Sequence, residues 1–153
     1  ELGENYVPYV VETSIGLDRM FLAVFSNSLQ DEILEDGSTR TVLKLPAVLA
    51  PVKAAILPLV KKDGLPEVAK QIMADLKFDF TLTYDEKDAI GRRYRRQDAN
   101  GTPFCITVDH DTLKDNTVTI RYRDSMKQDR VNIADLKDII SKEVSPKYWL
   151  EKC

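Results

Sequence analysis

The chain has 153 residues, 43% of them hydrophobic, with 22 Lys and Arg against 25 Asp and Glu for a formal charge of −3. That is enough to bury one ordinary core plus a short appendage, and the total charge gives no basic-protein signal for nucleic acid. The longest apolar stretch, Leu45 to Val60, is broken by Pro46, Pro51, Lys53 and Pro58 and falls short of a membrane span; the acidic start does not read as a signal peptide.

Residues 6 to 13 read as a short apolar strand. A glycine turn follows at Gly16, and apolar side chains then recur at Leu17, Phe21, Val24, Phe25, Leu29 and Ile33, predicting one helix over about 17 to 33. Asp18 suits the first turn of that helix, where partial positive charge and unpaired N–H groups collect. Arg19 does not, unless an anion docks beside it or it pairs with Glu12 or Asp18. Glu35-Asp36-Gly37-Ser38-Thr39 is a polar loop and the expected boundary between residues 1–36 and a main domain of 37–153.

From Thr41 strands alternate with helices. The apolar run Val52 to Leu59 reads as a strand buried on both faces. Gly64-Leu65-Pro66 opens a helix carrying Leu65, Val68, Ala69, Ile72 and Leu76. Phe78, Phe80, Leu82 and Tyr84 alternate as a strand, and Asp85 is the expected N-cap of a short helix stopping near Asn100-Gly101. Strands at Pro103 to Val108, Thr117 to Arg123 and Asp129 to Ile133 follow, then a helix through Leu136, Ile140 and Val144 that Ser145-Pro146 ends. Crossover helices imply parallel pairing early, and tight links imply antiparallel pairing late. The expected fold is α/β, a mixed five-stranded sheet flanked by helices, preceded by a strand-helix piece.

Two arginine clusters stand out. Four guanidinium groups, Arg92, Arg93, Arg95 and Arg96, crowd one helical segment, which is costly without anions nearby. On the strand from Thr117, Thr119, Arg121 and Arg123 share one face, and Arg130 extends the display past a turn containing Asp124, Ser125 and Gln128. Arginine's planar fork binds phosphate and stacks on unpaired bases, so these residues are candidates for gripping single-stranded RNA. The alternative is a solvated face neutralised by Glu86, Asp88, Asp98 or Asp124. Cys105 lies within a strand and Cys153 is the last residue, which is neither a disulfide framework nor metal-ligand spacing and makes a reducing cytosol the default. His110, the single histidine, sits in a turn, leaving little material for a His-based dyad or zinc site.

The stretch Pro8-Tyr9-Val10-Val11-Glu12-Thr13-Ser14-Ile15-Gly16-Leu17-Asp18-Arg19 resembles motif 3 of class II aminoacyl-tRNA synthetases. Its wording is similar to glycyl-tRNA synthetases of the dimeric type. Ile90-Gly91-Arg92-Arg93-Tyr94-Arg95-Arg96-Gln97-Asp98, Gly101 to Asp109 and Thr117 to Ser125 resemble the anticodon-binding domain of that family, which glycyl, histidyl, prolyl and threonyl enzymes share. The resemblance implies glycine activation with ATP and Mg²⁺ and transfer to glycine tRNA by a cytoplasmic homodimer. It assigns Glu12, Ser14 and Gly16 to the glycine and ATP pocket, and Arg19 to the ATP phosphates as the catalytic arginine. It assigns Arg92, Arg93, Arg95, Arg96, Arg121, Arg123, Gln128 and Arg130 to the anticodon stem-loop.

Motif 1 and the arginine-plus-glutamate pattern of motif 2 are not found. The expectation is therefore a C-terminal part of a longer synthetase, inactive in aminoacylation by itself and needing no cofactor of its own. Two other readings are open: a synthetase-like accessory subunit that binds nucleic acid without charging tRNA, and a prolyl or threonyl enzyme. Glu12, Ser14 and Arg19, which a binding-only module has no need of, argue against the first, and Glu12-Thr13-Ser14 before the glycine favours the glycyl form over the second.

Overall fold

A computed structural model describes residue 3 and residues 5–151. The expected strand over residues 6 to 13 is absent: its described residues carry no regular structure and are exposed. A strand exists only through a ladder with a neighbour, and no described residue supplies one. Helix α1 spans Leu17–Ser28, five residues shorter than the apolar repeat suggested. Leu29 turns to extended backbone, and β1 (Leu29–Ile33) pairs antiparallel with β2 (Thr39–Leu43). The repeat misled because Leu29 and Ile33, four apart, fit one face of a helix and one face of a strand equally well. The hairpin turn uses Gly37 at φ 77° and the Asp36 carboxylate accepting from the Ser38 N–H at 2.9 Å. The expected boundary after residue 36 falls in this turn.

The main sheet has five strands in the order β4-β3-β5-β6-β7. They are β3 (Ala54–Pro58), β4 (Leu82–Tyr84), β5 (Phe104–Val108), β6 (Thr117–Tyr122) and β7 (Gln128–Asn132). β3 runs parallel to β4 and β5, while β5–β6 and β6–β7 are antiparallel, as the connections require. All five residues of β3 are buried, in keeping with its unbroken apolar run.

Side chains alternate between two unlike faces. On one, Ile56, Ile106 and Ile120 pack with Leu65, Ile72, Leu136 and Ile140 from α2 (Leu65–Leu76) and α5 (Leu136–Val144). Each such aliphatic contributes roughly 1.5–3 kcal/mol, so this layer holds the domain together. On the other face Ala55, Leu57 and Cys105 meet Ile90 and Tyr94 of one helix, α3 (Ile90–Ala99). The C-terminal half of α3 reaches Arg121 of β6 on that face, and the edge strand β7 has its residues on that face, Gln128 and Arg130, exposed.

Helix α3 begins at Ala89, not Asp85, because Asp88 takes φ 73° and interrupts any helix started earlier. Asp85 instead accepts from the Lys87 N–H at 2.9 Å in its own turn. A one-turn helix α4 (Thr112–Asp115) joins β5 to β6, and Ser145-Pro146 ends α5 as expected before a last short helix α6 (Pro146–Leu150). Among the described residues no helix is long and apolar enough to cross a membrane.

Candidate nucleic-acid interface

Helix α3 divides its arginines by the angle at which each leaves the axis. Arg93 points to the sheet, is 2% exposed, and donates to the carbonyls of Pro58 (2.6 Å), Leu59 (3.1 Å) and Asp85 (3.2 Å). It ties the ends of β3 and β4 to the helix. Arg96 is shared between Asp85 and Asp88, the latter at 2.6 Å. Arg92 and Arg95, three apart, stand exposed on the outer side. The Arg92 side chain makes no hydrogen bond or ion pair among the described residues, and that of Arg95 donates to the Ser38 hydroxyl at 3.2 Å and lies within electrostatic reach of the Asp36 carboxylate.

Sheet arginines divide likewise. Arg121 is 6% exposed, with both terminal nitrogens on the fully buried Asp98 carboxylate at 2.8 and 3.0 Å. Its guanidinium lies 4.9 Å from the Tyr94 ring centroid, and the Tyr94 hydroxyl bonds that of Thr107 at 2.6 Å. Arg123 is 3% exposed and donates to the carbonyls of Gly101 (2.9 Å) and Leu45 (2.7 Å) and to the Asp124 carboxylate at 2.7 Å. Arg93, Arg121 and Arg123 are thus corrections to the expected RNA-facing set. Their guanidinium groups are turned to internal partners, as burial of a charge demands, although the buried Arg93 Nε has no hydrogen-bond partner among the described residues.

Arg130 and Gln128 are on the exposed edge strand β7, facing the α3 side of the sheet opposite Thr119 and Arg121 in register. Arg130 pairs with Asp109 and hydrogen-bonds Thr117, which keeps it extended along the open face. Burial raises the Asp109 pKa, but the hydrogen bonds from Arg130 and Thr112 outweigh it and hold the carboxyl below the usual range. Thr119, Gln128 and Arg130 thus share one face of the sheet, the face on which α3 packs, and Arg92 and Arg95 are exposed on that helix. Cys105 is buried on the same face, and burial pushes its thiol up to about 12. His110 is half-exposed and bonds Asp63 at 3.1 Å between two loops.

Glu12, Ser14, Gly16 and Arg19 are all exposed. Ser14, Gly16 and Arg19 line one open cavity of about 480 Å³ with Leu17 and Asp18, and Glu12 lies just before it in the chain. Helix α1 has no side-chain cap, so the N–H groups of its first turn are available to a ligand. Arg19 forms no ion pair with Glu12 or Asp18; its aliphatic stem lies beside Gly16, whose φ of −79° is open to any residue. Among the described residues no three carboxylate, His or Cys groups come together to hold a metal ion.

The fold is an α/β module known from solved structures. It is shared with the structure of the RNA binding domain of threonyl-tRNA synthetase from Cryptosporidium parvum Iowa II, with a TM-score of 0.61 at 24% identity over 67% of this chain and 26% of that one. A prolyl-tRNA synthetase from Cryptosporidium parvum, complexed with halofuginone and AMPPNP, gives a TM-score of 0.62 at 16% identity over 80% of this chain and 32% of that one. At such identities these likenesses speak for the fold alone. Residues 53–143 match the family of the anticodon binding domain, and the chain belongs to that family.

Similarity to curated relatives runs further along the chain. It is 51% identical to the glycine–tRNA ligase of Chlorobaculum tepidum over 90% of this chain and 29% of the relative. Identity is 51% to that of Clostridium tetani, over 94% and 31%, and 53% to that of Rhodopirellula baltica, over 87% and 26%. The chain therefore spans less than a third of the length of these relatives.

The sequence reading missed Arg40, which lies in β2 at 3% exposure. Its only local signal was alternation with apolar Val42, which placed it on the face turned to the domain.

Proposed function

We propose that this chain is the tRNA-selecting part of a glycine–tRNA ligase and holds the anticodon stem-loop against exposed side chains of α3 and of the edge strand β7. The observation that carries the reading is the pair Arg92 and Arg95, exposed and one helical turn apart, Arg92 with no ion pair among the described residues and Arg95 with only the exposed Asp36 carboxylate as an electrostatic neighbour. Two exposed guanidinium groups in one turn repel each other until an anion arrives, and a phosphate backbone supplies anions. On this reading Arg92 and Arg95 take phosphates, while Arg96 on α3 and Gln128 and Arg130 on β7 are the candidates for further contacts with the RNA.

The whole protein, on this reading, activates glycine with ATP as a cytoplasmic homodimer. Glu12 holds the glycine ammonium, Ser14 narrows the space a larger side chain needs, and Gly16 leaves the backbone open to ligand. Arg19, with the uncapped first turn of α1, fits the ATP triphosphate and stabilises charge developing at the α-phosphorus. Mg²⁺, when bound, would neutralise the remaining phosphate charge; among the described residues no group of three carboxylate, His or Cys side chains comes together to hold it.

The test is binding of this chain to glycine tRNA stem-loops with native and altered anticodons across a salt series. Loss of affinity on changing the anticodon is expected. Equal, strongly salt-dependent binding to any RNA would favour the accessory-subunit reading.

A further inference from the structure

The buried charges link parts of the chain that are distant in sequence. Arg40 of β2 donates through one terminal nitrogen to Asp98 of α3 at 3.1 Å and to the Arg123 carbonyl at 3.0 Å, and through its other nitrogens to Glu32 of β1. Asp98 is fully buried and already holds Arg121. Lys44, just after β2, closes on Glu32, and its N–H donates to the carbonyl of Ser28, the last residue of α1, at 2.7 Å. No spacer intervenes between α1 and β1.

We infer that Arg40 and Asp98 form a coupling node that makes hairpin β1–β2 and helix α3 one cooperative unit, so that a partner gripping α3 also restrains the C-terminal end of α1. Each member is buried and multiply bonded, so the unit opens only by exposing uncompensated charge, and such an opening is costly. Arg40 and Asp98 are positioning residues: both are buried, and both act through the elements they join. The consequence for RNA rests on the tRNA-selecting reading above; the node does not.

The experiment is amide hydrogen exchange on this chain, free and with the glycine tRNA anticodon stem-loop, for the wild type, Arg40→Met and Asp98→Asn. In the free wild type the hairpin amides should exchange with the same protection as those of β5 and β6. In Arg40→Met they should exchange on the order of 100-fold faster while β5 and β6 stay protected, as expected for loss of one partner of a buried pair. Asp98→Asn, which keeps an acceptor oxygen, should fall between. Hairpin amides that already exchange far faster than the sheet in the wild type, or that are unmoved by both variants, would overturn the node.

With RNA, the wild type should gain protection at Leu29–Ile33. Arg40→Met should bind with unchanged affinity and lose that gain, which a merely stabilising residue would not do. Binding that leaves the wild-type hairpin unaltered would overturn the restraint on α1. Failure of the stem-loop to bind at all would count against the tRNA reading, with the node still decided by exchange in the free protein.

Discussion

Replacing Arg121 by alanine separates a folding role from a reading role for the most conspicuous arginine on the sheet. In the fold its two charged hydrogen bonds to Asp98 and its stacking on Tyr94 are withdrawn from solvent. Removing one partner of a buried ion pair costs about 3–5 kcal/mol, chiefly because the other charge stays buried. Arg40 still faces Asp98 at 3.1 Å, which places the loss near the lower end, about 3 kcal/mol. The contact with Tyr94 adds roughly 0.5–2 kcal/mol. Against a typical total of about 5–15 kcal/mol, the variant should be folded but visibly weakened, with a melting point lower by roughly 8–15 °C.

Urea denaturation is the assay: the midpoint should fall with the slope unchanged. Affinity for a glycine tRNA stem-loop, measured well below the melting transition, should fall little. Arg121→Ala that is as stable as the wild type yet blind to RNA would refute the reasoning and return Arg121 to the interface.

Arg92→Ala and Arg95→Ala should each leave stability within about 0.5 kcal/mol. Each should also flatten the dependence of log affinity on log salt by about 0.7–0.9, one phosphate contact each, in salt-titrated binding. Gly101→Ala should cost about 1–3 kcal/mol in denaturant unfolding: Gly101 has φ 78°, and an added Cβ would lie 3.1 Å from the Leu43 side chain and 3.2 Å from its carbonyl. Hydrogen bonds from Lys44 and then Arg40 hold the Glu32 carboxyl below its ordinary 4.5. A folded pKa below the unfolded one stabilises above 4.5 and ceases to as pH falls through the folded value, so wild type and Glu32→Gln should differ in melting point near neutrality and converge at acid pH. Arg19→Ala in the full-length relative context should suppress ATP–pyrophosphate exchange; undiminished exchange would remove Arg19 from the ATP site.

The amino-acid order by itself determined the main domain. The unbroken run at Ala54–Pro58, the alternation of β5 and β6 and the helical spacing of α2 each bury apolar surface in only one periodicity, so the mixed sheet was legible before any coordinate. Where periodicities coincide, as at Leu29 and Ile33, only the partner strand decided the structure. Residues 6 to 13, apolar enough for a strand, lack such a partner among the described residues, carry no regular structure and stay exposed.

The arginines show the same division. Composition marked them all as unusual, but a guanidinium on a helix of 3.6 residues per turn or a strand of two is aimed by its neighbours' packing, not by its own identity. Arg92 and Arg93 are adjacent in sequence, yet one is exposed and the other is 2% exposed among backbone carbonyls. Asp98 and Arg40 are 58 residues apart, and no local pattern joins them. Burial of charge is a property of the assembled layers, because only the fold brings together the opposite charge and the low-dielectric surroundings that make the pair hold.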